Sequence, residues 1–292
     1  MEQPASSHET HRNANVFQRF MERHPYWGAL ILLAILMVTL VGIAPLCVLA
    51  VQRMASHGAP LSFLQKITVS EIPLTLIVVL LISVLGWWTD AGFTRWSTRQ
   101  GLIVCIFPFA ITVLPILCAA PFGYLNAPLI TSISAVALSF AVGFVEEGFF
   151  RGLLVRTLLP KGLVLSVLVS SVMFACFHLF NLFSAVPWSY VAIQLVVTLG
   201  MGALFVALRL RAVSIWPVIL LHALHDLPGL LLLSIDPRKV FNAATPTALV
   251  VNGILSLSFI LYAVFLLRPR QLAELSIVYG LADRPGSDEN VA

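Results

Sequence analysis

Charge is what this chain has least of. Only 10% of its 292 residues are Asp, Glu, Lys or Arg, against about 25% in soluble globular domains. So few charges cannot cover a water-facing surface, and a soluble fold is excluded. Cysteine is sparse and unpatterned. Cys47, Cys105, Cys118 and Cys176 stand singly in apolar runs, with no CxxC or zinc-ribbon spacing, and read as small buried hydrophobes. No block of Lys and Arg and no nucleic-acid motif accompanies the net charge of +4, so nucleic acid is not an expected partner. There is no HExxH, no internal repeat and no separate soluble domain.

What remains is oil. The hydrophobic fraction is 59% and the mean hydropathy +0.97. Several runs approach or exceed the ~20 apolar residues that cross a bilayer. The pattern predicts an all-α, polytopic membrane protein, a bundle of about eight transmembrane helices. Residues 1–26 read as a polar N-terminal tail, 27–267 as the transmembrane domain, and 268–292 as a polar C-terminal tail. The first run, Gly28 to Val51, is too long for a signal-peptide core and reads as a first span. Further spans are expected at about 72–89, 102–121, 128–151, 163–183, 188–208, 213–235 and 246–267. Pro108, Pro115, Pro217 and Pro228 fall inside apolar runs and predict kinks or breaks.

Loop charge sets orientation. With the N-terminus inside, the cytoplasmic segments carry Arg12, Arg19, Arg23, Arg95, Arg99, Arg156, Lys161, Arg209, Arg211, Arg268, Arg270 and Arg284. The other side carries only Arg53, Lys66, Arg238 and Lys239. The asymmetry favours both termini in the cytoplasm of a multi-pass protein, of the plasma membrane if the source is bacterial.

Against this background one run stands out, LSFAVGFVEEGFFRGLLV from Leu138 to Val155. Glu146, Glu147 and Arg151 lie inside it, and each intramembrane charge costs about 2.5–3.5 kcal/mol on insertion scales. Two more runs carry groups that do not belong in lipid: His178 and Asn181 in MFACFHLFN, and His222, His225 and Asp226 in LLHALHD. Glu147 and Arg151 are i,i+4, as are His222 and Asp226, so each pair shares a helix face. Glu146 lies about 100° round from Glu147 and faces elsewhere. Such groups face a bundle interior and pair with one another. The economical arrangement brings the fourth, fifth and seventh spans together, with Glu146, His178 and His222 on one wet pocket. A carboxylate beside histidines can deprotonate water, directly or on a metal. No serine or cysteine is placed as a nucleophile, so hydrolysis by activated water is the favoured chemistry.

These residues resemble the CPBP family of intramembrane proteases, which groups CAAX prenyl endopeptidases with bacteriocin-processing and immunity-type membrane proteins. Its motifs stand here as Glu146-Glu147-x-x-x-Arg151, Phe174-x-x-x-His178 and His222-x-x-x-Asp226, within a motif-bearing core of about 128–235. The resemblance implies an eight-helix fold with its cavity toward the cytoplasmic side. It implies a peptide or protein substrate, prenylated in the CAAX case. Glu146 resembles the base that activates water, His178 and His222 its partners, and Glu147 with Arg151 the supporting pair. Asp226 holds a position often filled by Asn; an ionised Asp cannot donate, so it must be protonated, orient His222 or ligate a cation. A zinc ion could use Glu146, His178 and His222 with water as fourth ligand; a metal-free, glutamate-activated water fits equally. Intramembrane Glu, His and Arg are also what a proton-coupled transporter uses, and the fold could serve a non-proteolytic immunity or binding protein.

Overall fold

The computed structural model describes residues 15–55, 60–119, 126–184 and 186–281, less the side chains of 114–116, 118, 119 and 184. The described residues form helices with no strand among them. In lipid a helix satisfies its own backbone polar groups, which an open strand cannot do. Seven helices are long and apolar enough to span: Pro25–Met54, Phe63–Leu85, Leu129–Lys161, Leu163–Phe183, Trp188–Ala212, Trp216–Ile235 and Pro246–Leu266. In chain order they are the first, second and fourth to eighth spans.

The expected third span, 102–121, is shorter and broken, into Arg99–Ile103 and Ile106–Ala119; residues 120 and 121 lie outside the described residues. The helices on either side of it show that the chain still crosses here. One groove is lined by Phe63 through Leu76 of the second span and by Ile130 through Ala141 of the fourth. A Cβ on Gly148 would then meet Val78 at 3.1 Å. The two helices therefore run parallel, and the segment joining them must return across the bundle.

Both expected tails contain ordered structure. Val16–Arg23 is a helix, capped by the Asn15 side chain, that buries Met21. Pro269–Val278 is a helix that buries Leu275. These short helices close one end of the bundle, where Arg209 ties three segments together. Its Nε donates to the Ala91 carbonyl at 3.1 Å, one terminal nitrogen to the Asp90 carbonyl at 2.8 Å, and the other to the Tyr279 hydroxyl at 3.1 Å. Arg156 pairs there with Asp90 at 2.8 Å and with Glu22 at 3.6 Å. These bonds hold loop to helix beside the apolar packing of Trp87, Ala91 and Leu275.

Between spans, backbones approach where side chains are small, as expected where lipid competes for apolar contact. A Cβ on Gly200 would sit 2.5 Å from Ser256 Oγ and 2.7 Å from its Cα, and Ser256 Oγ donates to the Val196 carbonyl at 2.6 Å. Gly200→Val must push the sixth and eighth spans apart. We expect a loss of about 3 kcal/mol, seen as a lower unfolding midpoint in detergent, with Gly200→Ala intermediate; an unchanged midpoint for Gly200→Val would refute this packing.

Three expectations change. Pro217 sits in the first turn of the seventh span, where its missing N–H breaks no bond; Pro228 is the proline inside that helix. Cys176 is exposed, and Cys47 and Cys105 are partly so, for they lie on faces turned outward from an apolar bundle. The fourth span does not end near residue 151. It continues to Lys161 through a π-helical segment, Gly148–Leu154, whose residues are all buried. The Glu146–Glu147 pair therefore sits at mid-helix and not at the helix end. The groove beside it, of about 1080 Å³, is lined toward the end where Ser62, Ile130 and Ser234 lie. That is the end opposite Arg209 and Arg156.

Candidate active site

The fourth, fifth and seventh spans meet as their spacing predicts. The fourth and seventh touch most closely at Gly143, where a Cβ would lie 2.9 Å from the Ile219 carbonyl oxygen and 3.4 Å from His222 Cβ. A side chain there would hold the helices apart; without one, His222 reaches both glutamates.

Glu147 is the centre of the arrangement. Its side chain and that of Arg151 are 0% exposed, and Arg151 donates to Glu147 Oε1 at 3.1 Å. The same oxygen lies 2.6 Å from His222 Nδ1. A carboxylate between a guanidinium and an imidazole accepts from both, so Nδ1 carries the proton. This fixes His222 in one orientation and turns Nε2 toward Glu146 Oε2, 3.6 Å away, and Asp226 Oδ2, 3.4 Å away. The i,i+4 pairing of Glu147 with Arg151 was legible in the sequence; its bond to His222, seventy-five residues on, was not.

Arg151 has a second support. Its guanidinium lies 4.0 Å from the centroid of Phe174 and 5.7 Å from that of Phe205, within cation–π range. Phe174 is more than packing: its ring also meets His178 edge-on at 5.1 Å and His222 at 5.9 Å. It wedges apart the two histidines and the arginine.

His178 is positioned by the end of its own helix. The α-helix Leu163–Phe177 gives way there to a 3₁₀ segment, His178–Ser184. The His178 backbone N–H turns to the carbonyls of Ala175 and Cys176, which leaves the Phe174 carbonyl short of its α-helical partner. The His178 ring supplies one, with Nδ1 3.0 Å from that oxygen. A carbonyl can only accept, so Nδ1 is the protonated nitrogen and Nε2 keeps its lone pair. Asn181 donates to Gln194 Oε1 at 2.9 Å and joins the fifth span to the sixth.

Glu146 differs from its neighbour. Its side chain is 15% exposed, yet Oε2 is shielded and has no hydrogen-bond partner. It is a buried acceptor beside an oriented imidazole. Asp226, 28% exposed, stands where it can orient His222, which supports the second of its three expected roles.

The set named for zinc does not assemble as a centre. Among the described residues, no group of three or more His, Cys, Asp or Glu side chains converges as metal ligands do. His222 Nδ1 is engaged with Glu147 and His178 Nδ1 with the backbone, so Nε2 is the nitrogen that each ring can offer to a proton or a ligand.

Sequence reasoning missed one carboxylate. Glu71 lies inside the second span, which begins at Phe63 and not at residue 72. It interacts electrostatically with Glu146, Asp226 and His222. The signal was present as SEIPL, a charge before a proline. Both residues suggested a span boundary, whereas the helix starts earlier, at the capping box of Ser62 and Gln65, and carries Pro73 in its interior.

The family model described as "Type II CAAX prenyl endopeptidase Rce1-like" matches residues 128–228, a stretch that contains Glu146, Glu147, Arg151, His178, His222 and Asp226. No curated protein and no solved structure matches the chain.

Proposed function

We propose, on the premise of the match between residues 128–228 and the Rce1-like type II CAAX prenyl endopeptidases, that the chain is an intramembrane endopeptidase working by a glutamate-activated water. The observation that carries this is Glu146 Oε2, buried without a hydrogen-bond partner and 3.6 Å from His222 Nε2. A water between them gives its proton to Glu146 as its oxygen bonds to the scissile carbonyl carbon. The oxygen on which negative charge develops needs a donor, so His178 and His222 serve it in the form that carries a proton on Nε2 as well as on Nδ1. The C–N bond then breaks, and the proton on Glu146 passes to the leaving amine. Glu147 and Arg151 hold His222; Asp226 keeps its Nε2 on the reacting side.

The positive-inside rule puts the basic end of the bundle, with both termini, in the cytoplasm. The residues that line the groove then lie toward the opposite half of the membrane. That placement favours a membrane-embedded or exported peptide over a soluble cytoplasmic one, and the CAAX tail is the alternative that the family brings.

The test is cleavage by purified protein in detergent, wild type against Glu146→Gln, on an unmodified transmembrane peptide and a farnesylated CAAX peptide. Bound zinc is measured on the same samples. Glu146-dependent cleavage of either peptide is expected. Cleavage that survives Glu146→Gln, or none of either peptide, would overturn the proposal. Stoichiometric zinc lost with activity on chelation would assign water activation to a metal.

A further inference from the structure

We infer that Glu71 is a specificity-determining residue, and that the groove between the second and fourth spans takes an extended peptide with a Lys or Arg side chain about two residues from the scissile bond. The inference rests on the protease reading for the words "scissile bond"; the binding preference does not depend on it.

Glu71 lies outside the matched stretch, in the wall of the groove. Its Oε2 is shielded from solvent and has no hydrogen-bond partner. The other described residues lining the groove are apolar or uncharged, among them Val69, Thr75, Leu138 and Ala141. Two of the hydroxyls are already committed: Thr68 donates to the Leu64 carbonyl and Ser134 to that of Ile130. Among the described lining residues there is no Lys, Arg or His, so the wall supplies no counter-charge. The groups nearest Glu71 electrostatically include Glu146 and Asp226, both acidic, and one imidazole, His222. His222 is already held by Glu147 at 2.6 Å. A buried acceptor among acids calls for a cationic donor, and charge-assisted hydrogen bonds are the strong ones. An alkyl stem ending in a charge suits an apolar wall with a carboxylate set in it.

The register gives the spacing. Val78 and Gly148 lie side by side on parallel helices. Glu71 is seven residues before Val78, and Glu146 two before Gly148. At about 1.5 Å rise per residue, Glu71 is about 7.5 Å nearer the Ser62 end than Glu146. An extended peptide covers that in about two residues at about 3.3 Å each. A peptide whose carbonyl is at Glu146 therefore carries its second neighbour past Glu71.

Binding decides it. Glu146→Gln protein, which holds peptides without turning them over, is titrated with a fluorescent apolar peptide bearing one Lys, and with the same peptide bearing norleucine there. The Lys is moved one position at a time. At the favoured position the Lys peptide should bind about tenfold tighter or more. Adding Glu71→Gln should remove that preference, and adding Glu71→Arg should transfer it to a peptide bearing Glu. No preference at any position, or a preference that survives both changes, would overturn the inference. Cleavage of the same peptides by protein with Glu146 intact is read separately. A Glu71-dependent preference without cleavage would sink the protease reading and leave the cationic site standing; cleavage without the preference would do the reverse.

Discussion

Glu146→Gln is expected to lower kcat by about a thousandfold, the middle of the range for loss of a positioned general base, with little change in the unfolding midpoint. Glutamine has the shape of glutamate and cannot take a proton from water. Its fold cost is small because Glu146 supports no structural bond: Oε2 has no hydrogen-bond partner, and the nearest group, His222 Nε2, is 3.6 Å away. His222 keeps its orientation, since that is set from the other side by Glu147. KM should change less than kcat, because the lost interaction is made during proton transfer and not on binding. A variant with normal kcat would show that another group activates water. A variant that fails to fold would show that Glu146 is structural, contrary to its geometry.

Glu147→Ala is expected to fail in the opposite way, losing about 3–5 kcal/mol of stability. Arg151 is buried, and Glu147 is its one hydrogen-bonded acceptor; Nε and one terminal nitrogen have no partner. Removing the carboxylate leaves a cation in apolar surroundings with only the faces of Phe174 and Phe205 beside it. Those rings contribute about 2 kcal/mol when desolvated, too little to hold a bare guanidinium. The compensating change is Arg151→Leu in the same chain. Replacing a buried ion pair by apolar residues is often neutral or stabilising, so a Glu147→Leu, Arg151→Leu double variant should recover the unfolding midpoint. It should not recover activity, because His222 Nδ1 then has no acceptor to fix its orientation. Recovery of both would mean that Glu147 serves stability alone. An unfolding midpoint for Glu147→Ala equal to wild type would mean that Arg151 finds another partner.

Adjacent glutamates thus divide the work, and the division comes from helix geometry. A turn of about 100° per residue sends Glu147 into the core toward Arg151 and turns Glu146 to the Nε2 side of His222. That much is readable from the letters, as is the shared face of His222 and Asp226. The match over residues 128–228 contains the same pairs. Other parts were out of reach. The length of the fourth span was misjudged because Arg156 and Lys161 were read as cytoplasmic loop charge. In the structure Arg151 pairs with Glu147 within the helix, and Arg156 reaches Asp90 from its last turns. Glu71 was set outside its span for the same reason: a charge beside a proline reads as an edge until the helix is seen to start at Ser62.

The sequence by itself determined the elements and the pairs within them. Low charge and long apolar runs leave helices as the way to satisfy the backbone in lipid, and i,i+4 spacing places side chains about 6 Å apart whatever the rest of the chain does. Tertiary structure alone decided which pair meets which. Gly143 lets the seventh span close on the fourth, so that His222 joins Glu147 across seventy-five residues. The parallel run of the second span beside the fourth sets Glu71 on the groove and puts the groove toward the end opposite Arg209. Those contacts depend on helix register and on the direction of each crossing. Neither is written in local periodicity, since the same amphipathic faces could pack at other registers until a glycine, a capped terminus or a buried ion pair fixes one of them.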